Sequence, residues 1–210
     1  MTITQSLLTY LFAAGVLTIT PGVDTVMVLR TATLEGPRRA AFAALGIGLG
    51  CLVWGALVAL GLGALLAASE VAFTGLKWAG AAYLVWLGIG LLRKPRTGLG
   101  VADPARAAGA TGAGDWLRRG LFTNLLNPKV GVFYVTLLPQ FVPEGVPVAG
   151  YTFLLAVLHV GLGLLWGLAL IGAAVPLGRT LQRPAVVRGM DRLTGCVFIA
   201  FGARLALARR

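Results

Sequence analysis

Apolar residues dominate the chain in six long blocks, separated by shorter segments that hold most of the charged residues. Most blocks reach or exceed the roughly 20 residues that a helix needs to cross a bilayer. Helix is the structure they favour, because backbone groups in hydrocarbon must be hydrogen-bonded within the segment. The pattern predicts an all-α polytopic membrane protein with about six transmembrane helices. The blocks cover residues 5–29, 41–67, 71–92, 117–139, 148–175 and 193–208.

Composition supports this class. Of the 210 residues, 58% are apolar and 12% are charged, about half the charged fraction of a typical soluble domain. The 30 glycines suit transmembrane helices, where they let backbones pack closely. A soluble domain is therefore excluded as the main body of the chain.

The net charge of +11 comes mostly from Lys and Arg in the connections between blocks 1–2, 3–4 and 5–6. Basic residues concentrate in cytoplasmic loops, so the amino terminus is predicted to lie outside. This distribution explains the charge without a nucleic-acid partner. The carboxy terminus does not follow this distribution, because in the predicted topology it would place Arg204, Arg209 and Arg210 outside. Either the last block is short or re-entrant, or the first helices dominate the orientation.

The two halves of the chain resemble each other, which predicts two inverted three-helix repeats in a single transporter domain. Residues 1–94 and 116–210 would form the halves, joined by a Gly-, Ala- and Pro-rich cytoplasmic linker at 95–115. Pro21 and Pro128 interrupt the first block of each half, so helices 1 and 4 are predicted to be broken. Inverted repeats with matching breaks are typical of secondary transporters whose site lies between them. Chance similarity between glycine-rich helices is the alternative.

The first break, Thr20-Pro21-Gly22, precedes Asp24 within an apolar block. Carbonyl groups freed by a proline need partners, which exist only in a cavity or a packed interior. An acidic residue at membrane depth usually faces a water-filled path or a cation. Asp24 is therefore a candidate for substrate binding or proton coupling. The alternative places it at the inner interface, solvated or paired with Arg30.

The second break places Asn124, Asn127 and Lys129 around Pro128. By the repeat symmetry Lys129 would lie opposite Asp24 as a counter-ion. Freed carbonyls and asparagine side chains could hold an ammonium group, while Lys129 and exposed amides could hold a carboxylate, which together suit a zwitterion. The alternative is a kink capped by asparagine, with Lys129 snorkelling to the interface.

Other polar and aromatic residues inside the blocks are candidates for lining a solute path. His159 either relays protons or packs, and Trp166 either lines the path or packs. Lys77 and Tyr83 belong to the repeated segment of the third block. The remaining chemistry is sparse. Cys51 and Cys196 are expected to behave as small hydrophobes, and the sequence has no phosphate-binding loop, metal-ligand spacing or nucleophile motif, so neither a cofactor nor an enzyme is predicted.

Paired glycines four residues apart occur in the second block of each half, at Gly46 and Gly50 and at Gly163 and Gly167. Close helix crossing is the expected reason. Glycine-rich faces would also allow a homodimer, although nothing in the sequence fixes the oligomeric state.

Three segments together resemble one family, the LysE/RhtB family of bacterial amino-acid exporters. They are TPGVDTVMVLRTATLEGPRRAAFAALGIGLG, LKWAGAAYLVWLGIGLLR and GLFTNLLNPKVGVFYVTLLPQF. Val23 departs from the pattern, because the family commonly has a second proline there. The resemblance assigns the family's signature to six residues: Pro21, Gly22, Asp24, Asn127, Pro128 and Lys129.

The resemblance implies a secondary exporter of amino acids or their derivatives in the bacterial inner membrane, driven by an ion gradient. Its partners would be a small-molecule substrate, the lipid bilayer and a coupling proton. An exporter of metal cations or of another small solute on the same fold is the alternative.

Overall fold

A computed structural model describes residues 1–68, 70–94, 112–181 and 183–207, and these residues form helices joined by short connections. The predicted linker 95–115 lies mostly outside the described residues, as do Arg209 and Arg210. The helices are α1 (Ile3–Ile19), α2 (Val23–Leu34), α3 (Pro37–Ala68), α4 (Glu70–Arg93), α5 (Ala113–Leu125), α6 (Pro128–Val132), α7 (Val148–Leu181) and α8 (Pro184–Leu207).

The first predicted break is confirmed. Helix α1 ends at Ile19 because Thr20, which precedes a proline, adopts an extended conformation. Pro21 has no N–H to continue the ladder, and Gly22 is the extended N-cap of α2. The two helix axes differ by 53°.

The second predicted break is confirmed as well. Asn127 caps α6 with its side chain, and Pro128 occupies the first turn, where its missing N–H is harmless. After α6 the backbone continues through a π-helical turn at Phe133–Leu137 and a 3₁₀ turn at Leu138–Phe141. The axes on either side of this break differ by 54°, nearly the same bend as in the first half.

Within the described residues, two helices, α3 and α7, are long and apolar enough to cross a membrane unaided. Each bent pair could form one further span. Helices α4 and α8 contain 24 residues each, about 36 Å of helix, and they stay the predicted third and sixth spans. The start predicted for the sixth block was wrong: α8 begins at Pro184, so Arg188 and Arg192 lie within a helix rather than in a connection.

Helices α3 and α5 cross at backbone contact, which explains the first glycine pair. A Cβ on Gly46 would lie 2.0 Å from the Leu117 carbonyl oxygen, and one on Gly120 would lie 2.1 Å from that of Ala43. Helices α4 and α8 approach in the same way, where a Cβ on Gly88 would lie 2.6 Å from the Gly195 oxygen.

An aromatic cluster packs beside the middle of α1. Tyr10, Phe133 and Phe141 pack together there, with ring centroids 5.3 Å apart for Tyr10 and Phe141. The Tyr10 hydroxyl donates to the Leu155 carbonyl at 2.7 Å. The cluster ties α1, the turns after α6 and α7 into one core.

Helices at corresponding positions in the two predicted repeats also pack against each other: α3 packs with α7, and α4 packs with α8. This arrangement and the matched bends agree with two related halves. The inverted relation itself stays a prediction.

Candidate functional site

A cavity of about 80 Å³ lies between the two helix breaks and extends along α2, α3 and α7. Six of the predicted site residues line it, namely Gly22, Asp24, Asn127, Lys129, His159 and Trp166. The sequence separates the residues of the two breaks by about a hundred positions, and the crossing of the two broken helices brings them together.

Asp24 lies in the first turn of α2, where the positive end of the helix dipole favours a carboxylate. Its Oδ2 accepts a 2.8 Å hydrogen bond from Asn124 Nδ2. Its Oδ1 is buried and receives no hydrogen bond of normal geometry from the described residues. The partners of Asp24 are thus amides of the other half, Asn124 and Asn127, rather than Arg30.

Asn124 is fully buried on α5 and links three helices. Besides Asp24 on α2, its Nδ2 approaches Cys51 Sγ on α3 at 3.4 Å. A Cβ on Gly50 would lie 2.6 Å from Asn124 Oδ1, so a glycine at position 50 leaves the space that this amide occupies. The close crossing expected at Gly50 is confirmed, and the atoms that approach this glycine belong to the Asn124 side chain.

Lys129 reaches across to the end of α1. Its Nζ donates to the Leu17 carbonyl oxygen at 2.7 Å and to that of Thr20 at 2.5 Å. Both carbonyls belong to the helix end that Pro21 leaves without partners, so the ammonium acts as a C-terminal cap from the other half. Lys129 also interacts electrostatically with Asp24, in keeping with its predicted position.

Asn127 lies at the boundary between two cavities. Its Oδ1 accepts from the Lys129 backbone N–H at 3.1 Å, which begins α6. It lines the Asp24 cavity, and it also lines a second, mostly apolar cavity of about 460 Å³. Tyr83 and Pro128 line only this second cavity, so the structure does not place Tyr83 beside Asp24.

His159 on α7 is buried and lines the Asp24 cavity. Its Nδ1 lies 3.0 Å from the Tyr134 hydroxyl, and its ring lies 5.6 Å from those of Phe133 and Tyr134. Trp166 lines the same cavity two turns along α7. The side chain of Lys77 lies outside the described part of the structure.

Sequence reasoning missed two members of this region. Cys51 looked like a small hydrophobe, yet it lines the cavity next to Asn124. Tyr134 drew no attention, although its hydroxyl holds the cavity histidine. Helical spacing from Asn127 and Pro128 could have placed Tyr134 near the break, but nothing local pointed to Cys51.

Among the described residues, no three side chains of His, Cys, Asp or Glu lie close enough together to hold a metal ion.

A family model described as LysE type translocator matches residues 15–209. The chain is 34% identical over 202 residues to the homoserine/homoserine lactone efflux protein of Salmonella typhimurium, covering 95% of each chain. It is 32% identical over 202 residues to the leucine efflux protein of Klebsiella pneumoniae, covering 95% of this chain and 93% of that one. The threonine efflux protein of Escherichia coli is 29% identical over 193 residues, covering 91% of this chain and 92% of its own. No solved structure matches the chain.

Proposed function

Because the chain belongs to the LysE type translocator family, we propose that it exports an amino acid or an amino-acid derivative across the bacterial inner membrane by proton-coupled antiport. The observation that carries this proposal is the Asp24 carboxylate on a cavity between two broken helices, held by Asn124 from the opposite half. Family membership supports a transporter rather than an enzyme.

A zwitterion fits the charges at the breaks. Its ammonium group pairs with Asp24, and its carboxylate is balanced by Lys129 and by the Asn127 amide. The alternative ammonium site on the freed carbonyls is less suitable in this conformation, because Lys129 Nζ already donates to Leu17 and Thr20. Asp24 is therefore the residue that we assign to the substrate ammonium.

A proton and the substrate ammonium compete for the Asp24 carboxylate, and this competition would couple proton movement to substrate transport. A buried carboxylate oxygen without a donor is costly, and either a proton or an ammonium group relieves that cost at Asp24 Oδ1. The carboxylate cannot satisfy both at once. A carrier that changes sides only when Asp24 is neutralised by one or the other would exchange amino acid for protons.

The arrangement of the cavity supports alternating access. The aromatic cluster of Tyr10, Phe133 and Phe141 contacts α1 about 10 Å toward its start from the cavity residue Leu17. The Ser6 hydroxyl donates to the Phe141 carbonyl beside it and accepts from Tyr151 at 2.9 Å. With the amino terminus outside, as we propose, these contacts would close the outer face, and the cavity would lie on their cytoplasmic side.

Counterflow in proteoliposomes tests the function. Purified protein is reconstituted with labelled amino acids under an imposed pH gradient, and Asp24→Asn is compared with wild type. The expected result is accumulation of at least one amino acid by wild type and loss of its response to the pH gradient in the variant. Asp115→Asn is the matched control, because Asp115 lies at the surface with Arg118 as its ion-pair partner. Full proton-coupled transport by Asp24→Asn would refute the assigned role.

Cys51 provides a second, independent readout. In a Cys196→Ala background, Cys51 is the one remaining cysteine and lines the cavity. A transported amino acid should slow its reaction with a maleimide, while an amino acid that is not transported should leave the rate unchanged. Equal rates with both compounds would argue against substrate binding in this cavity.

A further inference from the structure

We infer that the Asp24 cavity takes a neutral amino acid with an aliphatic side chain, and that Gly163 sets the size of the side chain that fits. This inference rests on the proposed function and names the substrate class of the same site.

The charged side chains that line the cavity match the two charges of a zwitterion and offer no partner for a third charge. Among the described residues that line it, Asp24 is the acidic member and Lys129 the basic one. The substrate ammonium and carboxylate match these two. His159 lies on the same wall, with Nδ1 in its contact with the Tyr134 hydroxyl. A third charge, as on lysine or glutamate, would lose its hydration without gaining a partner, at a cost of several kcal/mol. Charged side chains are therefore disfavoured.

The wall away from the helix breaks is apolar. The two threonines of the lining, Thr18 and Thr25, belong to the helix turns that flank the first break. Beyond them the cavity meets mostly hydrocarbon side chains, with Cys51 and His159 as the exceptions. The Trp166 ring contributes only carbon atoms because its Nε1 has no accessible surface. A substrate hydroxyl on this side would meet hydrocarbon except beside His159, whose Nδ1 is already in contact with the Tyr134 hydroxyl. The apolar wall consists of Val28, Ile47, Val160, Leu164 and Leu170.

Gly163 differs from the other glycines of the cavity. A Cβ on Gly48 would lie 3.3 Å from Val160, and one on Gly167 would lie 3.3 Å from Ala44, so both glycines serve helix packing. A Cβ on Gly163 meets no atom within 4 Å although the residue lines the cavity. The prediction of a close helix crossing at Gly163 was wrong. Its missing side chain leaves space in the cavity instead.

The test is a comparison of substrate selectivity in three proteins. Counterflow of labelled leucine, alanine, homoserine and lysine is measured for wild type, Gly163→Val and Gly161→Val. Gly161 is the matched control, because it lies on the same helix, is exposed, has no atom within 4 Å of its Cβ and does not line the cavity. Gly163→Ala provides a smaller step, and thermal unfolding confirms that each variant is folded.

Wild type should favour leucine over homoserine and lysine. The ratio of leucine to alanine transport should fall about tenfold in Gly163→Val, since a pocket discriminates by roughly that factor per methylene. The fall should be smaller in Gly163→Ala and absent in Gly161→Val. An unchanged ratio in folded Gly163→Val would overturn the role of Gly163.

The remaining outcomes separate this inference from the proposed function. Preference of wild type for homoserine or lysine would overturn the aliphatic class, while amino-acid export would stand. Failure of folded wild type to move any amino acid would overturn both.

Discussion

Asn124 Nδ2 donates a 2.8 Å hydrogen bond to Asp24 Oδ2, joining two side chains that are 100 positions apart in the chain. One residue follows a break in the first half, and the other precedes a break in the second. The bond therefore fixes how the two broken helices sit against each other, and it places the carboxylate at the cavity.

Replacing Asn124 with Ala should damage both stability and coupling. Asp24 would keep its burial but lose its donor, which costs about 1–3 kcal/mol. We expect a lower melting temperature in detergent and a loss of pH-driven counterflow. Phe122→Ala is the control, because this side chain of the same helix is 53% exposed. Wild-type melting and transport in Asn124→Ala would mean that the bond is dispensable.

Replacing Lys129 with Met should destabilise the end of α1. The Leu17 and Thr20 carbonyls belong to buried residues, and without the ammonium they would be left without these donors at about 1–3 kcal/mol. Thermal unfolding measures this loss. Arg118→Met removes an exposed cation from α5 and should leave the melting temperature unchanged. Equal melting temperatures for the two variants would contradict the capping role.

Enlarging Gly46 should separate α3 from α5. In Gly46→Val the new Cβ would lie 2.0 Å from the Leu117 carbonyl oxygen, so the backbones must move apart. Overpacking of this kind costs about 1–3 kcal/mol, and the strain should also weaken the Asn124 bond to Asp24. Gly61→Val, on the same helix with no atom within 4 Å of its Cβ, should unfold like wild type. The comparison is made by thermal unfolding in one detergent.

In the proposed orientation, with the amino terminus outside, Ser6→Ala should loosen the closure of the outer face. The change removes the hydroxyl that donates to the Phe141 carbonyl and accepts from Tyr151. A loss of about 1 kcal/mol from the closed state would raise the open population roughly fivefold. The measurement is the rate at which an impermeant maleimide, added outside right-side-out vesicles, labels Cys51 in the Cys196→Ala background.

Thr9→Ala is the control for that experiment, because the Thr9 hydroxyl donates only to carbonyls of its own helix among the described residues. An equal labelling rate in Ser6→Ala and Thr9→Ala would show that Ser6 does not hold the outer face closed.

Much of this architecture was predictable because its causes are local. The length and hydropathy of the blocks indicated membrane helices, and the prolines at 21 and 128 located both breaks, since a proline inside a helix removes a backbone donor and crowds the preceding turn. Asp24 and Lys129 stood out because charges are costly at membrane depth. The start of α8 was misjudged because Arg188 and Arg192 lowered the local hydropathy without ending the helix.

The sequence by itself determined that this protein is a membrane-embedded bundle with two broken helices and charged residues beside the breaks. The tertiary structure decided which groups meet: Lys129 with the end of α1, Asn124 with Asp24 and Cys51, and Gly163 with open space rather than a neighbouring helix. The physical reason is that composition and local propensity act along the chain, whereas these contacts depend on how helices cross. A glycine that admits a backbone and one that leaves room for a ligand look the same in sequence.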